Sequence, residues 1–121
     1  MAETHELSAA ELARQIRDSK ITPVEVSQSL LERMDVLEPS LDAWVRVDRE
    51  TVLSDAQERQ AELESGAATG PLHGVPIGIK DFYHIAGIPT TAGSKVYADY
   101  VPDATAVTID MLRKAGAIML G

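Results

Sequence analysis

The stretch Gly74-Val75-Pro76-Ile77-Gly78-Ile79-Lys80-Asp81 sets an apolar segment directly against a charged pair. Val75 to Ile79 is apolar and β-prone, which reads as a buried strand. Downstream, Asp103 or Thr105 is expected to cap a helix carrying Val107, Met111 and Leu112, with Arg113 and Lys114 near its negative end and Gly116 as its stop. Ala117 to Leu120 then opens a second apolar strand. Strand, helix and strand in that order form a βαβ unit, whose last strand needs further neighbours to be covered on both faces. The predicted class is α/β.

Upstream the pattern is helical. Two capping boxes, Ser8 with Glu11 and Thr22 with Glu25, each offer a hydroxyl to a helix's first free amides and a carboxylate that reaches back. A first helix over about Ala9 to Ser19 puts Leu12 and Ile16 one turn apart; it is short and must pack on something to persist. Pro23 takes the first helical position after Thr22, and Val24, Leu31, Met34 and Leu37 recur at helical spacing until Pro39, which is expected to stop the run. Ala43 to Val47 alternates around Trp44 and Arg46 and reads as a short strand. A very polar helix is expected over Arg49 to Ser65, ended by Gly66, with Asp55, Glu58, Arg59 and Glu62 on a solvated face.

Charge and glycine divide the chain near Gly66. Residues 1–66 hold 15 acidic and 7 basic side chains, residues 67–121 hold 4 of each, and all 8 glycines lie at or after Gly66. Glycine serves where backbone turns tightly or approaches something closely. The division predicts a helical wrapper over 1–66, a flexible stretch at Ala67 to Gly70, and a second part over 67–121 built around a site.

Composition excludes several classes. The 121 residues suffice for one modest core. A formal net charge of -8 repels phosphate backbones, so direct nucleic-acid binding is not expected. Without cysteine there is no disulfide, thiolate metal site or cysteine nucleophile. Met1 to Ser8 is polar and acidic, unlike a secretory leader, and no apolar run approaches the roughly 20 residues that span a bilayer. The expected setting is cytoplasmic, away from membranes. His5, His73 and His84 lack metal-ligand spacing and read as surface or loop residues.

Lys80 is the residue best placed for chemistry. After a buried strand, desolvation lowers a lysine pKa from about 10.4 towards a usable base. The alternative is that Lys80 ends a strand and reaches water, as most lysines do. Asp81, adjacent along a strand, points to the opposite face, which favours a capping or loop-ordering role. A phosphate-binding loop fails on spacing: Gly78 is four residues after Gly74, Ile79 intervenes before Lys80, and Asp81 replaces the magnesium-binding hydroxyl. Thr90, Thr91 and Ser94 lie in a Gly- and Pro-punctuated loop and read as turn chemistry.

Four segments in order are more specific than their parts: PLHGVPIGIKD from Pro71, AGIPTTAGS from Ala86 to Ser94, PDATAV from Pro102 to Val107, and KAGAIMLG from Lys114 to Gly121. Together they resemble the opening of the amidase-signature family, and the helices before Gly66 resemble its N-terminal helical region. The resemblance implies a large α/β fold with a central mixed sheet wrapped by helices. This chain would be its N-terminal part, with the sheet incomplete. It also implies hydrolysis of carboxylic amides through an acyl-enzyme, using a Ser, a second Ser in a cis peptide bond and a Lys, without metal or cofactor.

Lys80 matches the family's catalytic lysine, and Gly74, Pro76 and Asp81 match the frame that supports it. Both serines would lie in a Gly- and Ser-rich region after Gly121. None of Ser8, Ser19, Ser27, Ser29, Ser40, Ser54, Ser65 or Ser94 has such surroundings. The chain by itself is therefore expected to be inactive. The implied partners are a small-molecule amide and the remainder of the amidase polypeptide, and homo-oligomerisation stays open. Two other readings remain. One is the glutamine-hydrolysing subunit of a tRNA-dependent amidotransferase. The other is a non-catalytic α/β interaction module whose Ala117 to Leu120 strand is an exposed apolar edge.

Overall fold

The first three α-helices among the described residues each start at a side chain that accepts one of the first free amides. In the computed structural model, which describes residues 3–121, α1 spans Ala9–Arg17, α2 Pro23–Leu41 and α3 Arg49–Glu64. Met1 and Ala2, the first two residues of the Met1 to Ser8 stretch that argues against a leader, lie outside the described residues. At α2 the capping box is complete: Thr22 Oγ1 accepts from Glu25 N at 3.1 Å, and the Glu25 carboxylate accepts from Thr22 N at 2.8 Å. At α1 it is half made. Ser8 Oγ accepts from Glu11 N at 3.2 Å, but the Glu11 carboxylate takes Arg14 at 2.6 Å and Gln15 at 2.7 Å. A guanidinium one turn away offers a stronger, charge-assisted bond than a backbone amide does. α3 is capped by Asp48, which accepts from Thr51 N at 3.2 Å.

Pro39 does not end α2, which continues two residues beyond it. Proline removes the N–H that would bond four residues back, but in a last turn this loses one bond while the terminal carbonyls find other donors. Ser40 Oγ donates to Leu37 O at 3.0 Å and Asp42 N to Glu38 O at 2.9 Å, after which Asp42 turns left-handed at φ 48°.

Ala43 to Val47 is not a strand, since no backbone hydrogen bond pairs it with another described residue. Side chains hold it instead. Trp44 N donates to Glu38 Oε1 at 2.9 Å, and Arg46 Nη1 donates to Pro89 O at 3.2 Å.

β1 (Pro76–Ile77) and β2 (Ile118–Met119) pair in parallel across α4 (Val107–Lys114), the βαβ connection the sequence predicts. Backbone bonds carry the pairing further: Ile118 N to Val75 O at 2.9 Å, Leu120 N to Ile77 O at 2.8 Å and Ile79 N to Gly121 O at 2.7 Å. The strand is less buried than its composition predicts. Val75 is buried, Pro76, Ile77 and Ile79 are half-buried, and Gly78 is exposed. A parallel strand is buried when flanked on both edges and covered on both faces, and among the described residues β1 has one neighbour.

α4 follows Ala106 without a side-chain cap, so neither Asp103 nor Thr105 serves as expected. Thr105 Oγ1 instead accepts from Ala86 N at 3.0 Å, fastening a loop far upstream.

Two clusters form the core. Leu31, Val52 and Ala56 of the helices meet Ile118 and Leu120, and Leu12, Ile16 and Val26 meet Val75. Both join residues before Gly66 to residues after it. Burying each Ile, Leu or Val contributes about 1.5–3 kcal/mol, so the short α1 persists because Leu12 and Ile16 pack against Val26 and Val75. His73, read as a surface or loop residue, lies in a turn but is buried beneath Gly116, with Nε2 2.7 Å from Arg59 O. Its partners lie 14 residues upstream and 43 residues downstream.

Candidate active site

β1 delivers Lys80 to its carboxyl end, the side on which open α/β sheets form their crevices. The backbone turns there: Lys80 O accepts from Phe82 N at 2.6 Å and from Tyr83 N at 3.1 Å. Lys80 and Asp81 line an open cavity of about 650 Å³ together with Trp44, Arg46, Phe82 and Tyr83. Lys80 is exposed. The desolvation expected after a buried strand is therefore not supplied by the described residues, because the sheet has two strands and the cavity is open.

Asp81 orders the facing loop. Its Oδ1 accepts from Thr91 N at 2.9 Å, its Oδ2 accepts from the Thr91 hydroxyl, and its carbonyl accepts from Ala92 N at 2.9 Å. These bonds hold Ala92 and Gly93 in successive left-handed conformations, φ 51° and 68°. Ser94 Oγ then accepts from Val96 N at 3.3 Å and starts a short 3-10 turn at Lys95–Tyr97, while Thr90 is buried with its N–H on Tyr100 O at 2.9 Å. Turn chemistry describes Ser94, whereas the Thr91 hydroxyl reaches beyond its own turn to Asp81, ten residues upstream.

The Thr91 hydroxyl bond holds the Asp81 carboxyl below its ordinary value of 3.8; partial burial opposes this, and the Thr91 amide and the Arg46 charge add to it. A carboxyl depressed in the fold contributes stability above its unfolded pKa and loses that contribution as pH falls through the folded one. Acid titration of unfolding is thus expected to show wild type losing more stability below about pH 4 than Asp81→Asn does. Parallel acid limbs for the two proteins would contradict the assignment.

Gly74 and Pro76 lie at the other end of the strand. Gly74 is left-handed at φ 76°, a Cβ there would stand 2.7 Å from Pro23 Cγ, and its N–H donates to Gly116 O at 2.9 Å. Pro76 opens β1 opposite Ile118, where its missing N–H is tolerated. The structure therefore brings Lys80 and Asp81 to the cavity and leaves Gly74 and Pro76 seating the strand on α2 and β2.

Trp44 and Arg46 join the site from the segment between α2 and α3, which the sequence offers as a strand. A Cβ on Gly78 would meet Trp44 Cη2 at 2.9 Å, and one on Gly121 would meet Trp44 Cε3 at 2.8 Å. The ring occupies the space two glycines vacate. A glycine inside a β-prone run does signal close approach, but not by what.

A family model described as Amidase matches residues 25–121. The chain belongs to the amidase family, the amidase-signature enzymes. It is 43% identical to an acylamidase of Rhodococcus erythropolis over 97% of this chain and 24% of that protein. It is 39% identical to a glutamyl-tRNA(Gln) amidotransferase subunit of Carboxydothermus hydrogenoformans over 98% of this chain and 24% of that one. The peptide amidase of Stenotrophomonas maltophilia superposes with a TM-score of 0.86 at 33% identity, over 96% of this chain and 24% of the other. The helices leading into a small parallel sheet are thus part of a fold shared with amidases, and the chain spans about a quarter of the length of these relatives. No helix among the described residues is long and apolar enough to cross a membrane.

Proposed function

We propose that this chain is the N-terminal part of an amidase that cleaves carboxylic amides through a serine acyl-enzyme, with Lys80 as the base. The observation that carries this reading is the placement of Lys80 at the carboxyl end of a parallel strand, facing an open cavity, in a chain 43% identical to an acylamidase. The exposure of Lys80 fits a site whose remaining wall comes from polypeptide that these residues do not include.

In the proposed reaction Lys80, as a free amine, takes the proton of the nucleophilic serine through a bridging serine. The serine oxygen forms the new bond to the amide carbon, the C–N bond breaks, and the proton leaves with the amine. Water then reverses the transfer and releases the acid. A base placed beside a weak hydroxyl nucleophile is the general solution for activating it. Gly74 and Pro76 seat the strand, and Asp81 orders the loop opposite.

An acyl-enzyme can be trapped. Incubating the complete polypeptide with an aryl amide and hydroxylamine is expected to yield the hydroxamate, whereas residues 1–121 alone yield neither hydroxamate nor acid. Amide turnover by residues 1–121 alone, or hydrolysis by the complete enzyme with no hydroxamate, would refute the reading. The similarity to a glutamyl-tRNA(Gln) amidotransferase supports a second reading, glutamine hydrolysis within a tRNA-dependent complex. Co-purification of partner subunits with glutaminase activity selects it.

A further inference from the structure

Resting on the amidase reading, we infer that Arg46 is a positioning residue for Lys80, holding the backbone on both sides of the lysine. Arg46 and His73 are the two side chains among the described residues whose hydrogen bonds join the helical part before Gly66 to the part after it. His73 is packed against α3, whereas Arg46 lines the Lys80 cavity.

Each neighbour of Lys80 is tied to Arg46 by a short path. On one side Ile79 N donates to Gly121 O at 2.7 Å, and Gly121 lies against the Arg46 backbone, whose carbonyl oxygen would stand 2.6 Å from a Cβ built there. On the other side Asp81 grips Thr91, and two residues before Thr91 the Pro89 carbonyl accepts from the Arg46 guanidinium at 3.2 Å. Thr90 between them is pinned by Tyr100. Three successive loop residues are therefore anchored, by Arg46, Tyr100 and Asp81. Arg46 and Asp81 also line the same cavity. Arg46 reaches both arms, its carbonyl oxygen lying against Gly121 and its guanidinium bonded to Pro89.

A displacement of about 1 Å at a reacting group lowers turnover by up to roughly 10²-fold without weakening binding. In the complete enzyme acting on an aryl amide, Arg46→Met is expected to lower kcat about tenfold and leave KM within about twofold. Arg46→Lys, which keeps a cationic donor for Pro89 O, is expected to recover most of that loss and keeps the test available should the methionine variant fold poorly. In a Thr91→Val background, where the loop is already released, the Arg46→Met loss is expected to shrink. Unchanged kcat, a loss confined to KM, equal losses in both Arg46 variants, or additive losses with Thr91→Val would each overturn the inference. Lys80→Met assayed alongside separates the two levels. An active Lys80 variant overturns the lysine assignment and this inference with it, whereas an inactive one beside a fully active Arg46→Met overturns this inference alone.

Discussion

Lys80→Met in the complete enzyme is expected to lower kcat/KM by roughly 10⁴-fold or more, the scale on which removing one member of a nucleophile-activating set acts. The loss follows from chemistry rather than folding. In residues 1–121 Lys80 is exposed and lines an open cavity, and exposed side chains away from caps and packed contacts change stability by about 0.5 kcal/mol or less. The melting temperature of residues 1–121 carrying Lys80→Met should accordingly stay within about 2 °C of the unsubstituted piece. Steady-state kinetics of the complete enzyme on one amide, with a thermal melt of residues 1–121, tests both halves. Retained turnover would remove Lys80 from the mechanism. Lost turnover accompanied by a large fall in melting temperature would show that its role is structural.

A large effect on stability is expected at Gly116. Two glycines follow helices as left-handed stops, Gly66 after α3 at φ 74° and Gly116 after α4 at φ 94°, and the sequence presents them as equivalents. Their surroundings differ. A Cβ on Gly66 would meet nothing within 4 Å, whereas one on Gly116 would stand 2.6 Å from His73 Cα, which is backbone and cannot rotate away. Gly66→Ala should therefore cost about 1 kcal/mol, the left-handed strain alone. Gly116→Ala should cost about 3 kcal/mol, that strain plus overpacking. Urea unfolding of the two variants measures the difference. Equal midpoints would mean that the His73 loop moves aside at little cost, and that it does not clamp the entry to β2.

Much of the fold was legible because the signals were local. A hydroxyl three residues before a glutamate starts α2, glycine ends α3 and α4, and a strand, helix and strand in sequence predict the parallel β1–β2 pair. Each concerns a backbone group satisfied within a few residues, which is what a single sequence records. The motif GVPIGIKD likewise put Lys80 at a strand end.

What was not legible depended on partners distant in sequence. Pro39 lies inside a helix, Thr105 fastens Ala86 instead of capping α4, His73 is buried under Gly116, and Ala43 to Val47 walls a cavity instead of pairing as a strand. The exposure of Lys80 belongs with these, because burial depends on which elements stand on each side of a strand. By itself the sequence determined where backbone hydrogen bonds begin and end, and hence the α/β order and the place of the lysine. Tertiary structure alone decided that Trp44 and Arg46 line the cavity of Lys80, because side chains so far apart in sequence share a cavity only once the core has brought β2 against the helices.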